Sequence, residues 1–155
     1  MRRHALFVLL AAGLAAAVAG CKTPGPDPTD ATAVAKAYHA YLRDKKVEQA
    51  RALATFEDDN ARKVWEEQVQ DYVDRREAGG RRWWGEVFQV SSASGPEPGE
   101  WAFAEVQWHY YSGPGWQMSQ WKYTYPMRTV DGEWRMVIDN QRIEQNVPFF
   151  PPDEP

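Results

Sequence analysis

The sequence predicts an α+β domain in which N-terminal helices pack on a curved, four-stranded antiparallel sheet. Three observations carry this. Apolar residues recur every three to four positions up to residue 73, the spacing of helix faces. From residue 83 onward the pattern changes to alternating runs rich in Trp, Tyr and Val. Between two of those runs stands Asp131-Gly132, a two-residue hairpin signal. Helices first and strands afterwards is the order of an α+β domain.

The first helix begins after Thr29 or Asp30, either of which can accept hydrogen bonds from its first amides. Its apolar stripe is Ala33, Ala37, Tyr38, Tyr41 and Leu42, and Asp44-Lys45-Lys46 interrupts it. A second short helix carries Val47, Ala50, Leu53 and Ala54. The acidic run Glu57-Asp58-Asp59 favours the positive end of a third helix. Its face is Ala61, Val64, Trp65, Gln68, Val69, Tyr72 and Val73, and Gly79-Gly80 stops it.

Four strands follow, over residues 83–91, 100–112, 116–130 and 133–142. A turn at Asp131-Gly132 pairs Val130 with Glu133, and then Met127 with Met136 and Tyr125 with Ile138. A four-residue turn at residues 112–115 sets Tyr111 opposite Trp116, Val106 opposite Trp121, Ala104 opposite Tyr123 and Ala102 opposite Tyr125. Both registers select one face of the third strand: Ala102, Ala104, Val106, Trp108, Tyr110, Trp121, Tyr123, Tyr125, Met127, Trp134, Met136 and Ile138. A one-residue slip would move these side chains to the other face, so the agreement is informative. The opposite face places Glu105 against Lys122, and Arg128 against Arg135, a misfit that a neighbouring anion relieves.

The N-terminus has its own logic. Met1-Arg2-Arg3-His4 is followed by an apolar stretch ending in Val18-Ala19-Gly20-Cys21. A basic start, an apolar core and a small-residue cleavage site describe a signal peptide. The stretch is shorter than the about 20 apolar residues a transmembrane helix needs. Val18-Ala19-Gly20-Cys21 resembles the lipobox of bacterial lipoproteins, with cleavage after Ala19-Gly20 and acylation of Cys21, the sole cysteine. That resemblance implies a diacylglycerol on the sulfur and a membrane partner. Each buried methylene contributes about 0.8 kcal/mol and stable anchoring needs at least two lipid signals. Lys22 stands where Asp commonly marks inner-membrane retention, which points to the outer membrane, periplasmic side.

The organisation is then a signal peptide at 1–20, a Pro-rich tether at 21–30, a domain at 31–142 and a Pro-rich tail at 143–155. Extended at about 3 Å per residue, the tether would hold the domain about 25 Å from the lipid. Loss of Arg2 and Arg3 with the signal takes the net charge from −4 to −6. An acidic chain lacks the basic stripe that nucleic acid demands. Eight Trp and seven Tyr argue for a filled core rather than disorder.

Two motifs bear a family likeness. Ala33-Val34-Ala35-Lys36-Ala37-Tyr38, leading to Ala50-Arg51-Ala52-Leu53, resembles the opening of small NTF2-like (cystatin-like) domains. Val130-Asp131-Gly132-Glu133-Trp134-Arg135-Met136 resembles their closing hairpin. The resemblance spans most of residues 31–141 and lies with the bacterial lipoprotein branch, many of whose members have no assigned activity. Enzymatic members, the ketosteroid isomerases and SnoaL-like cyclases, hold an Asp or His base inside the cone.

Here the expected cone lining is Trp108, Tyr110, Ser119, Tyr123 and Tyr125, with no Asp, Glu or His from the strands. A general base must reach its proton within about 3 Å. A non-catalytic domain that binds a protein, peptide or small apolar ligand is therefore expected. The alternatives are an isomerase or cyclase, and a self-associating structural component. His109 falls on the outer side as an exposed strand histidine and lacks companions for a metal. No cofactor is expected. Trp83, Trp101, Phe103 and Tyr111 form a candidate contact surface, for a partner or a homodimer, or else lie under loops and the tail residues Phe149-Phe150.

Overall fold

A computed structural model describes residues 25–75, 82–93, 99–112 and 117–141, and side chains within these except at 75, 82–84, 110–112 and 117–121. The chain is a mixed α+β fold. Helices α1 (Ala31–Arg43) and α2 (Val47–Ala52) come first, then a short strand β1 (Ala54–Phe56) and helix α3 (Asp59–Arg75). Strands β2 (Arg82–Ala93), β3 (Trp101–Ser112), β4 (Gln117–Val130) and β5 (Glu133–Ile138) complete it. The sheet order is β1-β5-β4-β3-β2.

The sheet has five strands among the described residues, not four, and it is mixed. β1 lies parallel to β5, with Ala54, Thr55 and Phe56 beside Met136, Val137 and Ile138. The expected second helix therefore stops at Ala52, and Ala54 belongs to a strand. Three residues are too few for a period to be read, and the pairing partner is more than 80 positions away. Met136 N–H donates to Leu53 O at 2.9 Å, and Glu57 N–H to Ile138 O at 3.0 Å. These bonds give the short strand backbone partners, which buried or half-buried backbone requires. β5 ends at Ile138, earlier than expected, and residues 140–141 begin a helical turn.

Capping follows the sequence. Asp30 accepts from the backbone N–H groups of Thr32 (2.8 Å) and Ala33 (3.1 Å). Asp58 accepts from Ala61 N–H at 2.8 Å. Asp131 and Gly132 both take positive φ, 53° and 80°, the conformation of a type I′ hairpin turn. That turn sets Val130 opposite Glu133 and Met127 opposite Met136 as expected. Arg128 does face Arg135, and the anion that relieves the pair is Glu133, which ion-pairs with Arg135.

The β3–β4 register differs from expectation by two positions. Ala104 pairs with Tyr125, Ala102 with Met127 and Val106 with Tyr123, and the connection spans residues 113–116. A shift of two preserves which side chains share a face, so alternation could not discriminate between the registers. The expected Glu105–Lys122 attraction survives on the diagonal, at 3.4 Å. Ala102, Ala104, Val106, Trp108, Tyr125, Met127, Met136 and Ile138 are all buried, as the face assignment requires.

Against this face pack the helices. α3 buries Ala61, Trp65, Val69 and Tyr72, the stripe its period dictates. α1 buries Val34, Ala35, Tyr38, His39 and Leu42, a stripe rotated from the expected one. Trp134 N–H donates to Pro28 O at 2.7 Å, so the backbone at residue 28 docks on β5.

Candidate functional site

The polar group at the centre of the core comes from a helix. Ala35, His39 and Leu42 lie three to four residues apart on α1, so they share one face. That face meets the sheet where β2 carries Gly85. A Cβ at Gly85 would lie 3.0 Å from His39 Nδ1, 3.1 Å from Val106 and 3.2 Å from Trp108. The glycine makes room for the imidazole, an instance of close approach across a strand.

Aromatic rings enclose the imidazole edge-on. Ring centroids lie 5.1 Å from Tyr38, 5.5 Å from Trp108 and 5.7 Å from Tyr125. Tyr72 packs on Trp108 from α3 at 5.9 Å, and Phe56 on Trp65 at 5.5 Å. The polar tips of this cluster satisfy each other. Trp65 Nε1–H donates to Tyr38 Oη at 2.7 Å, and Trp108 Nε1–H to Tyr125 Oη at 2.8 Å.

His39 is the exception. It is 3% exposed, and neither ring nitrogen has a hydrogen-bond partner. Such a group costs about 1–3 kcal/mol relative to a satisfied one and calls for an explanation. Burial pushes its pKa from 6.5 down to about 3, so the ring is neutral at ordinary pH. Burial likewise pushes the Tyr38 hydroxyl up, with the Trp65 bond opposing in part.

The expected lining residues divide. Trp108 and Tyr125 are buried in the interior, and Tyr123 is half-buried against it. Tyr110 and Ser119 pair with each other along the backbone, but their side chains lie outside the described residues. The expected lining concerned the strands alone; the histidine inside the interior comes from α1, as His39. The signal was present in the i, i+4 spacing of Ala35 and His39, but a histidine does not register in an apolar stripe.

On the outer face Phe88 is 64% exposed and Phe103 39% exposed, with Trp101 half-buried. Lys122 Nζ stands 4.4 Å from the Phe88 ring centre, a cation–π contact. Phe88 was missed because β2 carries a bulge between Val87 and Gln89, which breaks the alternation there. Backbone register pairs Trp83 with Tyr110 and Trp84 with His109. The side chains of Trp83, Trp84 and Tyr111 lie outside the described residues. His109 is not exposed as expected: its side chain is 12% exposed, with Nε2 3.5 Å from Glu86 Oε2.

Among the described residues no group of three or more His, Cys, Asp or Glu is placed to hold a metal ion. No described helix is long and apolar enough to cross a membrane. Ala19, Gly20 and Cys21 lie outside the described residues.

No family model and no curated protein matches the chain. Among solved structures it is similar to the intermembrane space region of the chloroplast protein ARC6. The TM-score is 0.43 and the identity 14%, over 74% of this chain and 95% of that one. A likeness so slight carries neither function nor location.

Proposed function

We propose that this is a lipid-anchored envelope protein of the NTF2-like type, non-catalytic, that binds an apolar protein or peptide surface through the outer face of its sheet. Acylated Cys21 holds it to the membrane, on the periplasmic side of the outer membrane. One contrast supports the binding role. The helix-facing side is occupied by its own packed and hydrogen-bonded rings, with Trp65 and Trp108 at 0% and 1% exposure, while Phe88 on the outer side is 64% exposed. Exposed aromatics beside a cation are typical binding anchors.

His39 favours a second reading, an isomerase or cyclase, because an ionisable group does stand inside the aromatic interior. Its pKa of about 3 argues against it. A base so weak is far from the operating pH at which proton abstraction is efficient.

The test places a photo-crosslinking residue at position 88 or, as a control, at exposed Lys63 on α3, in the native envelope. A defined heterologous adduct at 88, absent at 63 and lost with Phe103→Glu, is expected. An adduct of twice the chain mass means self-association instead, and absence of any adduct overturns the binding role. Cys21→Ser is expected to leave the membrane fraction; a fully processed mutant in the pellet would sink the anchor.

A further inference from the structure

The interior histidine has the geometry of a switch. Its ring is in contact with three elements at once: α1 through Tyr38, β3 through Trp108 and β4 through Tyr125, with the Gly85 backbone of β2 beneath it. The titratable groups facing it are the phenols of Tyr38 and Tyr125. From β3 the ring meets Trp108, and from β2 it lies against Gly85. Among the described residues no carboxylate is found in these contacts to receive an imidazolium, and neither ring nitrogen has a hydrogen-bond partner.

We propose that His39 is an acid-sensitive latch: on taking a proton from solvent, its ring must leave the aromatic interior, and α1 comes away from the sheet. A charged ring cannot remain unpaired among apolar rings, whereas outside them water solvates it. The sign is fixed by the two pKa values. Docked, the ring stays neutral down to about 3; undocked, it binds a proton below about 6.5. Docking is therefore complete above 6.5 and weakens progressively as the pH falls from there towards 3. α1 is also the helix next to the tether, with Asp30 capping it and Pro28 bonded to β5. Its release would loosen the domain at the membrane-proximal end. The latch does not depend on which partner the outer face binds.

Hydrogen exchange of the full lipid-anchored chain in detergent tests this, with rates corrected for the intrinsic effect of pH. Between pH 7.5 and 5.0 the opening of α1 amides is expected to rise about 30-fold, the value set by one proton at a group with pKa 6.5. Amides in β3 and β4 are expected to change little. His39→Leu should abolish the rise, and His109→Gln, on the other face, should retain it. A wild-type α1 without the rise, or an equal rise throughout the sheet, overturns the latch. So does a His39→Leu protein with the rise intact. Should that variant not fold, the imidazole signals of the wild type decide. A ring that titrates near 6.5 while α1 stays protected overturns the proposal; one that stays neutral in the docked state while α1 opens supports it.

Discussion

Gly85 and His39 occupy each other's space, and the consequence is measurable. A methyl at position 85 would sit 3.0 Å from the imidazole and 3.1–3.2 Å from Val106 and Trp108, closer than side chains ordinarily approach. Gly85→Ala is therefore expected to cost about 1–3 kcal/mol by overpacking, although alanine normally helps a strand relative to glycine. Urea denaturation reads it. Repeating the substitution in a His39→Ala background should recover most of the loss, because the two positions share one contact and their effects are not additive. A full additive cost would mean that Val106 or Trp108, not the histidine, is the obstacle. The residue scale also shows where polar chemistry was hidden. Trp65, Trp108, Tyr38 and Tyr125 were legible as core from their periods, but the bonds pairing them across elements were not.

At the scale of elements, two segments join distant parts of the chain. The start of α3 is tied to the end of β5 by side chains. Asn140 donates to Asp58 Oδ2 at 2.7 Å, its backbone N–H donates to Glu57 Oε2 at 2.7 Å, and Asn60 donates to Asn140 Oδ1 at 2.8 Å. The Ala61 backbone N–H, and secondarily the Asn140 side chain, hold the Asp58 carboxyl below its usual value of 3.8. A depressed carboxylate contributes stability above the unfolded value, and that contribution disappears as the pH falls through the folded one. Asp58→Ala is expected to lower the melting temperature at pH 7, with the gap from wild type narrowing towards pH 2.5. A gap that is constant over that range would refute the carboxylate's role. The short strand β1 is the other joint. It pairs in parallel with β5, across most of the fold, and covers the edge of β5, leaving a strand of three residues as the sheet edge.

For the molecule as a whole, the Pro-rich segment before α1 bonds to the sheet. Pro28 is bonded to β5 and Asp30 caps α1, so these two residues are tied to the folded unit. A chain beginning at Gly25 is expected to keep full stability in denaturant. One beginning at Ala31 is expected to lose about 1–3 kcal/mol, from the cap and the lost backbone bond together. Equal stability of the two chains would return those residues to the tether.

The amino-acid sequence by itself determined the three helices and the four later strands, the hairpin at Asp131-Gly132, the α3 stripe and the buried face of β3 to β5. Each rests on a local period or on backbone conformations that neighbouring residues impose. Only the tertiary structure decided the rest: that β1 is a strand, which of two face-preserving registers joins β3 to β4, that α1 turns His39 inward over Gly85, and that a bulge presents Phe88 to solvent. These depend on contacts between residues far apart in the chain. Local periodicity fixes which way a side chain faces, but not what it meets there.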